Sequence, residues 1–166
     1  MSRELNSYAY VNVPFDVASR LLAENAESVL QQATDDSAEE AASLSRTLRV
    51  NVGGFEVSKN VEVEVGEFQP TQITGSVVPL RWRAESGRLL FPTLVAELHV
   101  RAVSFDPPVT QVLVTGSYDP PMGVVGAGAD WLLLHRLAEA TIHRFTSEVA
   151  SQLRQLVEQM PGSQHG

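Results

Sequence analysis

The sequence predicts an α+β fold in which an antiparallel sheet of about six to seven strands curves around one long C-terminal helix. Three observations predict it. Residues 122–160 carry the one long run with a clear helical period, with Trp131, Leu134, Ala138, Ile142, Phe145, Val149, Leu153, Leu156 and Met160 spaced by threes and fours. Upstream, consecutive segments alternate apolar and polar residues, the signature of strands with one buried face. Short turn sequences join the last of those segments, which suits antiparallel neighbours with one wet face. A helix of residues 122–160 would run to roughly 50 Å, and its apolar stripe needs the inner face of the sheet as a partner.

Taken in order, residues 5–13 set Leu5, Ser7, Ala9, Val11 and Val13 against Asn6, Tyr8, Tyr10 and Asn12, and Pro14 ends the strand. Asp16 is read as the N-cap of a short helix with Val17, Leu21 and Leu22 at helical spacing. A second short helix carries Val29 and Leu30 and continues towards Leu44. Its acidic middle, Asp35-Asp36-Ser37-Ala38-Glu39-Glu40, reads as a solvated face, because a calcium loop needs a glycine that this run lacks.

From Thr47 the period switches to two. Leu48, Val50 and Val52 alternate with polar neighbours until Gly53-Gly54 interrupts as a bulge or turn. Residues 55–65 alternate again, with Lys59 either in a turn or at the sheet rim, and residues 66–70 read as a loop. Three strands follow near residues 74–84, 93–104 and 109–118, joined through Glu85-Ser86-Gly87-Arg88 and Asp106-Pro107-Pro108. Asp119-Pro120-Pro121 stops the sheet and leads into the long helix.

The 166 residues fit one domain with a core over about residues 5–158 and a disordered tail at 161–166. Apolar residues make up 43% and charged residues 19%, ordinary values for a globular chain. Twenty acidic residues against 12 basic ones give a net charge of −8, so nucleic acid is not an expected partner, since its binding rests on Lys and Arg. The chain has no cysteine, which excludes disulfides, thiolate metal sites and a cysteine nucleophile. The polar first dozen residues and the lack of any apolar run near ~18 residues predict neither signal peptide nor membrane insertion. A cytoplasmic address is expected.

This order of elements resembles the helix-grip superfamily, which includes birch-pollen-allergen-like proteins, START-type lipid-binding domains and polyketide cyclase/dehydrase-like proteins. The most specific stretches are Val78-Pro79-Leu80-Arg81-Trp82-Arg83 and Gly116-Ser117-Tyr118-Asp119-Pro120-Pro121-Met122-Gly123. The second, running on into Asp130-Trp131 and His135-Arg136-Leu137-Ala138-Glu139-Ala140, resembles uncharacterised actinobacterial members. The resemblance implies an apolar cavity between sheet and helix. It implies no single activity, and Gly53-Gly54 is shorter than the glycine loop of the plant members.

The residues expected to line that cavity are Trp82, Ala96, Leu98, Val114, Tyr118, Trp131, His135, Ala138 and Ile142. Small inward positions (Ala9, Ala84, Ala96, Ala102 and Gly116) would leave room that a helix does not fill. Trp82 and Tyr118 face inward by parity and carry donors that need partners. Arg81 and Arg83 take the opposite parity, facing solvent or a dimer surface. His135 sits at the margin of the helix's apolar face and His143 on its far side. His135, Glu139 and His143 have a metal-like spacing but face mostly outward, so no metal and no cofactor is expected. No serine elbow and no pair of inward carboxylates supplies a catalytic constellation.

Three functions fit. The chain binds a small apolar molecule such as a lipid, polyketide or aromatic, with Gly123, Gly126 and Gly128 letting the helix start flex as a gate. Alternatively, it is a cyclase/aromatase-type enzyme in which His135, Tyr118 or Trp82 handles a proton. Or it is an interaction protein with a filled interior, for which exposed Tyr8 and Tyr10 offer a partner surface and a homo-oligomer is one possible assembly.

Overall fold

The computed structural model describes residues 3–47, 56–57, 61–72, 75–84, 89–90, 93–119 and 131–161. The expected strand at 48–52, Gly53-Gly54, Lys59, the turn at 85–88, the glycines at 123, 126 and 128 and the tail beyond 161 lie outside them. Strand β1 (Arg3–Val11) is followed by helices α1 (Phe15–Glu24) and α2 (Ala26–Thr47). Strands β2 (Glu56–Val57), β3 (Val61–Val65), β4 (Gln69–Gln72), β5 (Gly75–Ala84), β6 (Leu89–Leu90), β7 (Thr93–Phe105) and β8 (Pro108–Asp119) come next. Helix α3 (Trp131–Glu158) closes the order.

Six strands form one antiparallel sheet in the order β1-β8-β7-β5-β3, with β4 also pairing β5. Pro79 lies inside central strand β5, a place where a residue without an N–H normally breaks the ladder. Its position falls where the partner of β5 changes from β3, at Val65↔Leu80, to β4, at Gln69↔Val77. The Pro79 carbonyl still accepts a bond from Gly66 N at 2.8 Å, and a side chain at Gly66 would press on the proline ring. The far edge of the sheet is covered by a side chain. Gln31 of α2 donates from Nε2 to Val61 O (2.9 Å) and accepts from Val63 N (3.3 Å), occupying backbone groups that an edge strand leaves open.

Several sequence expectations are corrected here. The second helix is not short: α2 has 22 residues and takes in Thr47, expected in a strand. Its buried stripe runs through Val29, Leu30, Ala33, Thr34, Ser37, Ala38 and Ala41, and so passes through the acidic run. Those small and hydroxylated residues do not register as apolar, although Thr34 and Ser37 bond the carbonyls of Leu30 and Ala33 four residues back and so bury no open donor. Asp16 is not the N-cap of α1. Pro14 takes that place without a side-chain bond, its carbonyl accepting from Ala18 N, and Asp16 sits in the first turn, where its charge suits the helix dipole. Within residues 55–65, where a turn is one of the two readings, β2 pairs in parallel with β6 in a small ladder separate from the sheet that holds β3. Gln69 and Pro70, expected in a loop, start β4.

Helix α3 spans about 42 Å at 1.5 Å per residue. It runs alongside β1 in the same sense: His135 meets Tyr118, the partner of Arg3; His143 meets Ser7; and Arg154 donates to the Tyr10 carbonyl at 3.0 Å. The expected stripe is buried at Ala138, Ile142, Phe145, Val149 and Leu153 and is widened by Leu137, Thr146 and Ala150. A wider stripe is what a helix needs when both a sheet and a second helix, α2, cover it. Among the described residues no helix is long and apolar enough to cross a membrane.

Candidate functional site

The inner face of the sheet meets α3 in two different ways. Around the middle and C-terminal half of α3, large apolar side chains fill the interface. Phe145 is 1% exposed and stands edge-on to Trp82, ring centroids 5.0 Å apart. This geometry favours aromatic pairs by setting a positive edge against a negative face. The Trp82 indole N–H donates to Thr34 Oγ1 at 2.9 Å, and the Thr34 hydroxyl in turn donates to Leu30 O at 2.7 Å. Trp82 therefore spends its polar atom inside the core. Leu98, Val114 and Ile142 belong to the same buried cluster, as do Val149 and Leu153.

Near the N-terminal end of α3, buried Leu137 and Ala138 are joined by a polar pair that α3 makes with β8. Tyr118, 3% exposed, stacks on the His135 ring with centroids 6.0 Å apart and planes 20° from parallel. Tyr118 Oη lies 2.9 Å from His135 Nδ1, and His135 Nε2 lies 3.3 Å from Glu139 Oε1. The three groups step outward from the interior: Tyr118 is buried, the His135 side chain is 24% exposed and Glu139 is 52% exposed. One helical turn between His135 and Glu139 makes the second bond possible, since residues four apart share a face. The alternation of β8 turns Tyr118 inward to make the first.

Ala96 and Ala138 are buried, Ala138 three residues after His135 on α3 and Ala96 paired with Gly116, two residues before Tyr118 on β8. Gly116, the register partner of both Ala96 and Leu5, contributes less room than its size suggests. A Cβ built there would lie 2.6 Å from Ala96 Cβ and 2.7 Å from Val95 O. The strands close up over the missing side chain, so the space is used by the sheet itself. This corrects the expectation that every small inward position adds to a cavity. Ala102, another of those positions, is half-buried next to the register shift between Ala102 and Ser104. Trp131 opens α3, and its side chain, like those of Leu94 and Ala84, lies outside the described set.

His143 is on the exposed side of α3, but its Nδ1 lies 2.9 Å from the hydroxyl of buried Ser7. Sequence reasoning missed this bond because it assigned Ser7 to the strand's inner face without asking what satisfied it. His135 and His143 therefore turn towards β8 and β1, with only His135 also reaching Glu139 among the described contacts. Among the described residues no three His, Asp or Glu side chains group around a point where a metal could sit. On the outer face, Tyr8 and Tyr10 are exposed and meet edge-on at 5.6 Å.

No protein-family model matches the chain, and no curated protein matches it. Solved structures do. A conserved protein from Geobacillus kaustophilus aligns with a TM-score of 0.51 at 12% identity, over 92% of this chain and 96% of that one. The Zhui aromatase/cyclase from Streptomyces sp. R1128 aligns at 0.45 and 14% identity, over 95% and 96%. A Thermus thermophilus protein aligns at 0.47 and 12%, over 93% and 99%. Identities this low speak to fold alone, and the narrower actinobacterial likeness is untouched by them. With a curved antiparallel sheet closed by a C-terminal helix and matched along nearly its whole length, the chain has a helix-grip fold.

Proposed function

We propose that the chain binds a small, largely apolar molecule (a lipid, polyketide or aromatic compound) against the N-terminal half of α3. Ala96, Tyr118, His135 and Ala138 would form its seat, with Trp131 at the helix start beside it. Trp82, Leu98, Val114 and Ile142 would form the wall behind. The observation that carries this reading is the Tyr118–His135 pair, a hydrogen-bonded phenol and imidazole near buried Ala96 and Ala138. Ligand pockets are mostly apolar and use a few placed polar groups to orient what they hold. A core needing only to be filled would use larger apolar side chains there, as the other half of the interface does.

The test is saturable binding of N-phenyl-1-naphthylamine, whose emission rises and shifts to the blue when it leaves water. The parent protein should bind it, and Ala96→Phe should abolish binding while the melting temperature holds. If the parent shows no saturable binding and Ala96→Phe costs roughly 1–3 kcal/mol by overpacking, the space is already full and the interaction-protein reading replaces this one.

A further inference from the structure

We infer that two copies of the chain pair edge to edge through β1, antiparallel and in the register centred on Ser7, so that two sheets become one. The two edges of the sheet point to this by contrast. Each presents a row of backbone groups with no strand beside it among the described residues. At β3 those groups are guarded. Gln31 fills Val61 O and Val63 N, and the exposed side chains of the strand are Glu62 and Glu64. A second β3 laid antiparallel on the first about Val63 would set Glu62 against Glu64 twice, and like charges directly opposite are destabilising. That edge refuses a copy of itself.

The β1 edge has no such guard. The strand runs for nine residues without proline or lysine. Among the described contacts, Arg154 at the Tyr10 carbonyl is what covers its free side. Tyr10 therefore turns its backbone groups away from β8, and the alternation of an antiparallel pair turns those of Glu4, Asn6 and Tyr8 the same way. The side chains of these residues are exposed on the outer face, Tyr8 at 60% and Tyr10 at 47%. A long aromatic edge of this kind is a template for another strand.

Laid antiparallel on itself about Ser7, β1 meets its copy with complementary groups at each step. Asn6 stands opposite Tyr8 and Glu4 opposite Tyr10, so no like charges face each other on the outer side. The N–H and C=O of Asn6 exchange bonds with those of Tyr8 in the other copy, and Glu4 does the same with Tyr10. The Tyr10 carbonyl keeps Arg154 as well, because its oxygen has two lone pairs. The Glu4 carboxylate of one copy thereby comes to the Arg154 guanidinium of the other, and the two-fold symmetry repeats the contact. Tyr8 meets Tyr8 on the diagonal, within reach of aromatic rings. The edge-on Tyr8–Tyr10 pairs of both copies then form one row across the axis.

Sedimentation velocity over a concentration series should show the parent passing from the mass of one chain to that of two. The Kd should be micromolar, because a single strand pair is a small interface. Asn6→Pro should raise it at least about tenfold. That change deletes an N–H that β8 does not use, and proline is tolerated where the N–H faces off the sheet, so the melting temperature of the monomer should hold. Glu4→Arg and Arg154→Glu should each weaken the dimer, and the two together in one chain should restore it, which a general loss of folding would not do. A monomer at every concentration overturns the inference. So does a dimer whose Kd ignores Asn6→Pro and both single charge changes, since its contact then lies elsewhere. If Asn6→Pro does not fold, the charge exchange decides: a double variant no tighter than the single ones overturns the pairing.

Discussion

The two halves of α3 solve the same packing problem with different materials. From Ile142 to Leu153 the helix presents Ile142, Phe145, Val149 and Leu153, none more than 3% exposed, to a wall that includes Trp82, Leu98 and Val114. The polar interaction set into that wall, Trp82 to Thr34, is buried at both ends. From His135 to Ala138 the helix presents an imidazole beside buried Leu137 and Ala138, and the polar contact there leads step by step to solvent. One half is built for stability, with volume and shape deciding. The other sets a polar pair beside the buried apolar residues, the feature on which the proposed seat rests.

The largest expected effect lies in the sealed half. Phe145→Ala removes a ring from a site with almost no exposure and leaves the Trp82 face without its partner. Urea denaturation should show a loss of about 3–5 kcal/mol. A loss under about 1 kcal/mol would mean that the neighbours collapse into the gap the ring leaves.

How much of this contrast could be read in the residues follows from which signals are periodic. The strand alternation and the stripe of α3 were legible because burial repeats at 2.0 and 3.6 residues. They placed Trp82, Ala96, Leu98, Val114, Tyr118, Ala138 and Ile142 on buried faces before any coordinates. The stripe of α2 was not legible, because Ala33, Thr34, Ser37, Ala38 and Ala41 are small or hydroxylated and look solvated beside four acids. Packing against α3 and the sheet explains their burial, and that is a tertiary fact. The tie between Ser7 and His143 joins residues 136 apart, and no local pattern announces it. The room lost at Gly116 depends on how closely two strands approach, which side-chain size alone does not encode. The candidate site was thus half visible: the burial of its residues could be read, but not the contacts that tie Tyr118 to His135 and His135 to Glu139.

A middle-sized effect separates a sealed polar contact from a leaking one. Thr34→Val keeps the shape of a buried residue but takes away the acceptor of the Trp82 N–H. Thr34 is 1% exposed and Trp82 2%, so water has no ready route to the orphaned donor. The expected loss is about 1–3 kcal/mol, read by urea denaturation with tryptophan emission as the probe. An unchanged midpoint would show that water does reach Trp82, and the sealed half would no longer be sealed.

The smallest expected effect is the most telling, because it asks the same question of the other half. Tyr118→Phe removes a hydroxyl and leaves His135 Nδ1 without its phenol partner. The chemistry of the loss is like that at Thr34, one member of a polar pair deleted with the ring kept. The surroundings differ, since the His135 side chain is 24% exposed and its other nitrogen already faces a half-exposed carboxylate. Water that can reach the imidazole replaces the lost hydroxyl partner, so the cost should fall to about 0.5–1.5 kcal/mol, the net value of an ordinary hydrogen bond rather than the penalty for an unmet one. The ratio of the two losses, measured on one instrument under one buffer, therefore reports how open each half is. Should Tyr118→Phe cost as much as Thr34→Val, the N-terminal half would be as closed as the rest. A small molecule would then have no way in without unfolding the contact that is meant to greet it.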